Sequence, residues 1–180
     1  MSAGHPLHTV VGAVLRDSVE GQDAHLILDT ACGGNRWNPL FMGDKKSSAA
    51  RICNVDALVI KNRAVRVVVE IEESNVKPTQ VCGKMLTTAM ASHFIHADVA
   101  AGTPLPLLDV LFIQVLDTTK LSNGSRKPRQ WDMMWERMQT VLPPGGPVSD
   151  YMLMYGLVCD FAAGGKHRTA LVERIRSHLA

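Results

Sequence analysis

The chain has 180 residues, of which 46% are apolar and 20% charged, with a net charge of +2. That balance suits one globular domain with its own core, residues 1–180, and excludes a disordered chain. No apolar run approaches the roughly 18 residues of a membrane span, and the start, Met1-Ser2-Ala3-Gly4-His5, lacks the features of a signal peptide. A cytoplasmic protein without a membrane partner is therefore expected.

Taken in chain order, Leu7, Val10, Val11, Val14 and Leu15 recur at helical spacing and predict a helix from Leu7 to Val19. Ala24 to Leu28 reads as a short strand. Residues Cys32 to Ala50, rich in Gly, Asn, Lys and Ser, read as a long loop carrying Trp37, Leu40 and Phe41. Ile52–Lys61 and Val65–Glu72 are the clearest strands, joined by Asn62-Arg63-Ala64. Pro78 suits a first helical turn, and a helix is predicted from Pro78 to Ala100 with Val81, Met85, Leu86, Met90, Phe94 and Ile95 inward. Leu108–Leu116 reads as a strand buried on both faces. A polar, basic loop follows from Asp117 to Gln130. A helix from Trp131 to Leu142, a strand from Met152 to Val158 and a final helix from Lys166 to Leu179 complete the order. The pattern predicts an α/β domain around a central mixed sheet flanked by helices.

The segment Arg66-Val67-Val68-Val69-Glu70-Ile71-Glu72-Glu73 is the most informative. Side chains alternate along a strand, so Glu70 and Glu72 share a face and Val69 and Ile71 take the other. A three-residue turn at Asn62-Arg63-Ala64 sets Lys61 opposite Val65, Asp56 opposite Glu70 and Asn54 opposite Glu72. A two-residue turn would move Asp56 to the other face. In the first register three carboxylates meet at one end of the hairpin and repel unless a positive charge sits among them. Oxygen ligands of this kind suit a hard divalent cation such as Mg²⁺. The alternative is a solvated acidic strand end.

Together these elements resemble the PD-(D/E)xK nuclease superfamily, the fold of many type II restriction endonucleases. Its core is a helix, a three-strand meander, a second helix and a further strand. Val55-Asp56 stands for the PD step and Glu70-Ile71-Glu72 for the (D/E)xK triplet. The likeness spans about residues 7–116 and leaves 117–180 as an elaboration. It implies a restriction-endonuclease-like core and a DNA endonuclease using Mg²⁺, with Mn²⁺ as a substitute. Asp56, Glu70 and Glu72 would serve as catalytic and metal-binding carboxylates. Glu72 occupies the place of the family's usual lysine; in some members that lysine has moved to the following helix, which points to Lys84 and then Lys77. A glutamate of the first helix often joins the metal shell, for which Glu20, or Asp17, is the nearest match. Gln80 would line the cleft, and Lys45, Lys46 and Arg51 would contact DNA phosphates. One such site cuts one strand, so the likeness allows a homodimer. The competing readings are a non-cutting member of the fold that binds nucleic acid or protein, and an unrelated α/β protein.

Other residues carry weaker signals. Lys120, Arg126, Lys127 and Arg129 form a second basic cluster and Lys166, His167 and Arg168 a third; such runs touch phosphates or simply face solvent. Arg168, Arg174 and Arg176 make the last helix basic, although Glu173 marks an ordinary exposed face. His93 and His96 sit three apart on the long helix without a third ligand, so a solvated or hydrogen-bonded pair is expected. Trp131 and Trp135 read as core or as a dimer face. Cys32, Cys53, Cys82 and Cys159 contain no CxxC pair and read as small buried apolar residues. Gly33-Gly34 and Gly164-Gly165 lack the pattern of a phosphate loop.

Overall fold

The apolar alternation from Ala57 to Ile71 builds the middle of the molecule. A computed structural model describes residues 4–73, 76–141 and 145–180. In chain order it has helix α1 (Pro6–Val19), strands β1 (His25–Leu28), β2 (Asn38–Phe41), β3 (Arg51–Val55), β4 (Ala57–Lys61) and β5 (Ala64–Glu72), and helix α2 (Pro78–Met90). Strands β6 (His93–Phe94) and β7 (Leu105–Asp117), helix α3 (Lys127–Val141), strand β8 (Val148–Gly156) and helices α4 (Val158–Phe161) and α5 (Arg168–Leu179) follow.

Strands β1, β4 and β5 form an antiparallel meander, β7 joins β5 in parallel, and β8 joins β7 in parallel. The first residues of β7 pair with β6, which leads on through β2 to β3. The result is a mixed, open, eight-strand sheet flanked by helices. One face packs Ala57, Val59, Val67, Val69 and Ile71 against Leu7, Val11 and Leu15 of α1, Phe161 of α4 and Leu171 and Ile175 of α5. The other packs Leu58, Ile60, Val65 and Val68 against Val81 and Met85 of α2 and Trp131 and Met138 of α3. Among the described residues no helix is long and apolar enough to cross a membrane.

The structure departs from the sequence reading in five places. The predicted strand Ile52–Lys61 breaks at Asp56: β3 pairs with β2, whereas β4 pairs with β1 and β5. Asn54 therefore faces Pro39 rather than Glu72. The long loop contains β2, which is short and carries Pro39, so it lacks a strand signature of its own. Helix α2 ends at Met90 instead of Ala100, because Ser92 N donates to Phe41 O and β6 is taken into the sheet. Leu86 and Met90 are exposed, since the buried stripe of α2 is Val81, Met85 and Thr88, a spacing that leaves the other two on the opposite side. Finally, α3 begins at Lys127, inside the predicted loop.

His93 and His96 thus do not share a helix. His93 Nδ1 lies 2.9 Å from Ser92 Oγ, and His96 Nδ1 accepts from Asp98 N at 3.2 Å. The pair is hydrogen-bonded, in line with the plainer expectation.

Candidate active site

The register that assembles the site arises differently from the sequence reading. Lys61 pairs with Ala64, so the turn has two residues, Asn62 and Arg63, both in the left-handed region (φ 53° and 61°) as such a tight hairpin requires. Ile60 pairs with Val65 but Val59 with Val67, leaving Arg66 as a bulge. That extra residue places Val65 and Val68 on one face and Val67 and Val69 on the other. From Val59 onward the ladder is the one a three-residue turn would give. One step past Ala57↔Val69 brings Asp56 across from Glu70.

Asp56 sits where the chain bends from β3 into β4. Its backbone is clamped, the carbonyl accepting from Asp29 N at 2.8 Å and Asn38 Nδ2 at 3.3 Å. Its Oδ2 accepts from Ile71 N at 2.6 Å, at the middle residue of the Glu70-Ile71-Glu72 triplet. A cleft of about 180 Å³ beside it is lined by Asp29, Arg36, Trp37 and Asn54, with Trp37 largely exposed.

Glu70 is completely buried, on the α2 face of β5 beside Gln114 of β7. Lys84 Nζ, from the second turn of α2, donates to Glu70 Oε2 at 2.8 Å and lies 3.8 Å from Glu72 Oε1. Glu70 Oε1 has no hydrogen-bond partner. Neighbouring Gln114 accepts from Tyr151 Oη at 2.6 Å through its oxygen, and its nitrogen is unpartnered. These two unpartnered atoms lie on one rung of neighbouring strands, and each calls for an explanation.

Burial pushes Glu70 well above the usual carboxylate range, and the negative charge of Asp56 adds to this while Lys84 opposes it. Burial also raises Asp56, against the Ile71 N–H and the nearby His8 and Lys84. Glu72 is raised by burial in the same way, with Lys84 opposing. For Lys84 burial acts downward, but the charge and hydrogen bond of Glu70 outweigh it and hold the ammonium protonated above the ordinary lysine range. Displaced carboxyls around one firmly held cation occur at functional sites and in buried structural ion-pair networks alike.

Other expected residues divide into those the fold brings near and those it does not. Lys77 and Gln80 start α2, exposed, with Gln80 Oε1 accepting from Lys77 N at 2.9 Å. Lys77 makes no ion pair among the described residues, whereas Lys84 pairs with both Glu70 and Glu72. Glu20 follows the C-terminal end of α1 and is exposed, while Asp17 pairs with Arg168 of α5. At 1.5 Å per residue, Glu20 is roughly 18 Å along the axis from the end of α1 that approaches the carboxylates. It is not part of the cluster. Lys45, Lys46 and Arg51 are exposed but lie toward the opposite end of β3 from Asp56, with Arg51 roughly 16 Å away at strand rise.

The residue of α1 that does reach the site is His8, whose Nε2 lies 3.7 Å from Asp56 Oδ2. Its other nitrogen, Nδ1, is 3.1 Å from Oε1 of Glu73, and His5 Nδ1 is 3.2 Å from Oε2 of the same residue. Among the described residues, these three side chains alone bring three ligand atoms within 4.8 Å of one another; Asp56, Glu70 and Glu72 form a looser set. His5-Pro6-Leu7-His8 at a helix start is the sequence signal for this cluster. Glu73 also opens onto a cleft of about 330 Å³ with Lys120 and Lys127, which makes the second basic cluster the one beside the carboxylates. A larger cavity of about 880 Å³ runs along β1 past Arg16, Lys61 and Arg63 and contains none of these groups.

The chain matches no protein-family model, no curated protein and no solved structure.

Proposed function

We propose that the chain is a divalent-metal-dependent endonuclease that hydrolyses DNA phosphodiester bonds on a restriction-endonuclease-like core. The observation that carries this reading is the position of Lys84, 2.8 Å from Glu70 and 3.8 Å from Glu72. The following helix thus supplies the basic group that Glu72 displaces from the motif. Helix α1, the meander β1–β4–β5, helix α2 and strand β7 keep the order of that core, with Asp56 and Glu70 at the corresponding places.

The donor set fits a hard cation. Glu70 presents a fully buried oxygen with no hydrogen-bond partner, and Asp56 adds a second carboxylate at the same strand end. Asp56 and Glu70 would hold Mg²⁺ or Mn²⁺, with Glu72 at the margin. A cation bound there supplies Lewis-acid stabilisation of phosphoryl charge and acidifies a water. Lys84 keeps its proton, is oriented by Glu70, and is placed to position the attacking water and to meet charge developing on the phosphate. Lys120 and Lys127 suit the flanking phosphates, and exposed Trp37 suits a base face beside Asp56. One site cuts one strand, so duplex cleavage calls for two copies.

The test is plasmid cleavage with Mg²⁺ or Mn²⁺, EDTA controls and an Asp56→Ala/Glu70→Ala variant. Metal-dependent cutting that drops at least about 10³-fold in the variant is expected, as for removal of a unit that acts together. A wild-type protein that binds DNA as the variant does, and cuts with neither metal, would favour the second reading. That reading is a non-cutting nucleic-acid or protein binding module, supported by the fact that Lys84 already answers the charge of Glu70.

A further inference from the structure

Glu73 lies just beyond β5 and turns back onto the start of α1. Its Oε1 accepts from the backbone N of His8 at 3.0 Å, fixing the carboxylate against the first helical turn. Pro6 at the start of α1 orders the turn between the two histidines, whose rings meet edge to face with centroids 5.1 Å apart. Both rings direct Nδ1 at this one carboxylate.

The contact of His8 is not an ordinary hydrogen bond. His8 is only 8% exposed, and its Nδ1 has no hydrogen-bond partner of acceptable geometry although Glu73 Oε1 is 3.1 Å away. At 3.1 Å the distance suits a hydrogen bond but the direction of the ring nitrogen does not, which is costly for a buried nitrogen unless an ion beside the N···O line takes its lone pair. The spacings of 3.1 and 3.2 Å are close to the roughly 3.3 Å separating two donors on one tetrahedral ion. The second nitrogen of His8 looks toward Asp56 Oδ2 at 3.7 Å, the side on which metal-bound histidines commonly find an orienting carboxylate.

We propose that His5 Nδ1, His8 Nδ1 and the Glu73 carboxylate form a binding site for a zinc-class transition-metal ion, separate from the all-oxygen pair Asp56 and Glu70. Two imidazoles with one carboxylate select zinc, cobalt or nickel over Mg²⁺. Three protein ligands leave a fourth position for water. The ion would pin the start of α1 to the end of β5 and set the ring of His8 beside Asp56. The inference stands on the three side chains and does not require the nuclease reading.

The experiment measures Zn²⁺ affinity by competition with a chromophoric chelator, and ligand type from the visible spectrum of the Co²⁺ form. It uses Glu70→Gln protein, in which the buried carboxylate of the all-oxygen pair is lost and Asp56 stays beside His8, with and without His5→Ala or Glu73→Gln. His5 precedes the helix and its side chain is 57% exposed, so its removal leaves packing intact. Glu73→Gln retains an acceptor for His8 N. One equivalent of Zn²⁺ is expected in the parent, weakened more than about tenfold by either added substitution, with a Co²⁺ spectrum free of sulfur charge-transfer bands. Absence of a Zn²⁺ equivalent in the parent, or affinity unchanged by His5→Ala, overturns the proposal. A wild-type protein that binds zinc in this way and cuts DNA with neither Mg²⁺ nor Mn²⁺ would count against the nuclease reading alone.

Discussion

Alternate residues of β5 live in two different chemical worlds. Val67, Val69 and Ile71 pack against α1 and α5 in a layer of apolar side chains. On the opposite face Val68 begins in the same manner, but the next two positions are Glu70 and Glu72, answered by one ammonium from α2. Neighbouring residues on one backbone thus separate the part of the strand that stabilises the domain from the part that costs stability. The acidic face is unlike a strand end dissolving into solvent, because Glu70 has no exposure at all.

The largest effect that sharpens this contrast is Val69→Asp. A charge one residue before Glu70 meets no cation and no donor, and should cost at least about 4 kcal/mol, read as loss of the cooperative denaturation transition at ambient temperature. Lys84→Ala should cost about 2 kcal/mol in the denaturant midpoint. It strands a buried carboxylate, although the partial exposure of Lys84 and protonation of Glu70 soften the loss. Glu70→Gln should do the reverse and raise stability by about 1 kcal/mol at pH 8. The gain should shrink as pH falls through the raised range of Glu70: a folded-state value above the unfolded one means that wild type regains stability on taking up the proton, and loses it as pH rises. A Glu70→Gln protein less stable than wild type at pH 8 would make the pair a structural strut instead. Smallest is Glu20→Gln, expected within about 0.5 kcal/mol and without effect on cleavage, since that side chain is exposed at the far end of α1.

Local pattern was enough to identify α1, the β4–β5 hairpin, the start of α2 and the three carboxylates, because these rest on short-range periodicity and the position of Pro78. Lys84 came from the likeness to the nuclease core, which points to a lysine on the following helix, where it is the single basic residue of α2. What escaped depends on long-range pairing. Nothing in Ala91-Ser92-His93 signals a helix end; the end is imposed by β2, whose own four residues include a proline. Glu20 misses the site, and His8 gives no signal of reaching it, for a directional reason. Helical spacing shows which face of α1 is buried, but not which end approaches β5, and the N-terminal end does. The expected facing of Asp56 and Glu70 came through, yet by compensation: a turn one residue shorter than expected and a bulge one residue longer cancel.

That cancellation makes the hairpin unequal in its tolerance of lost residues. Without Arg66, the rungs Ile60↔Val65 and Val59↔Val67 become consecutive, and every later side chain keeps its side of the sheet. Without Val67 or Val68 the later register survives only if the bulge closes and Arg66 takes the rung opposite Val59, in the apolar layer against α1 and α5. One residue of β5 is a spacer whose loss leaves the layers as they are, while the loss of its neighbours keeps the carboxylates in place only by burying a guanidinium.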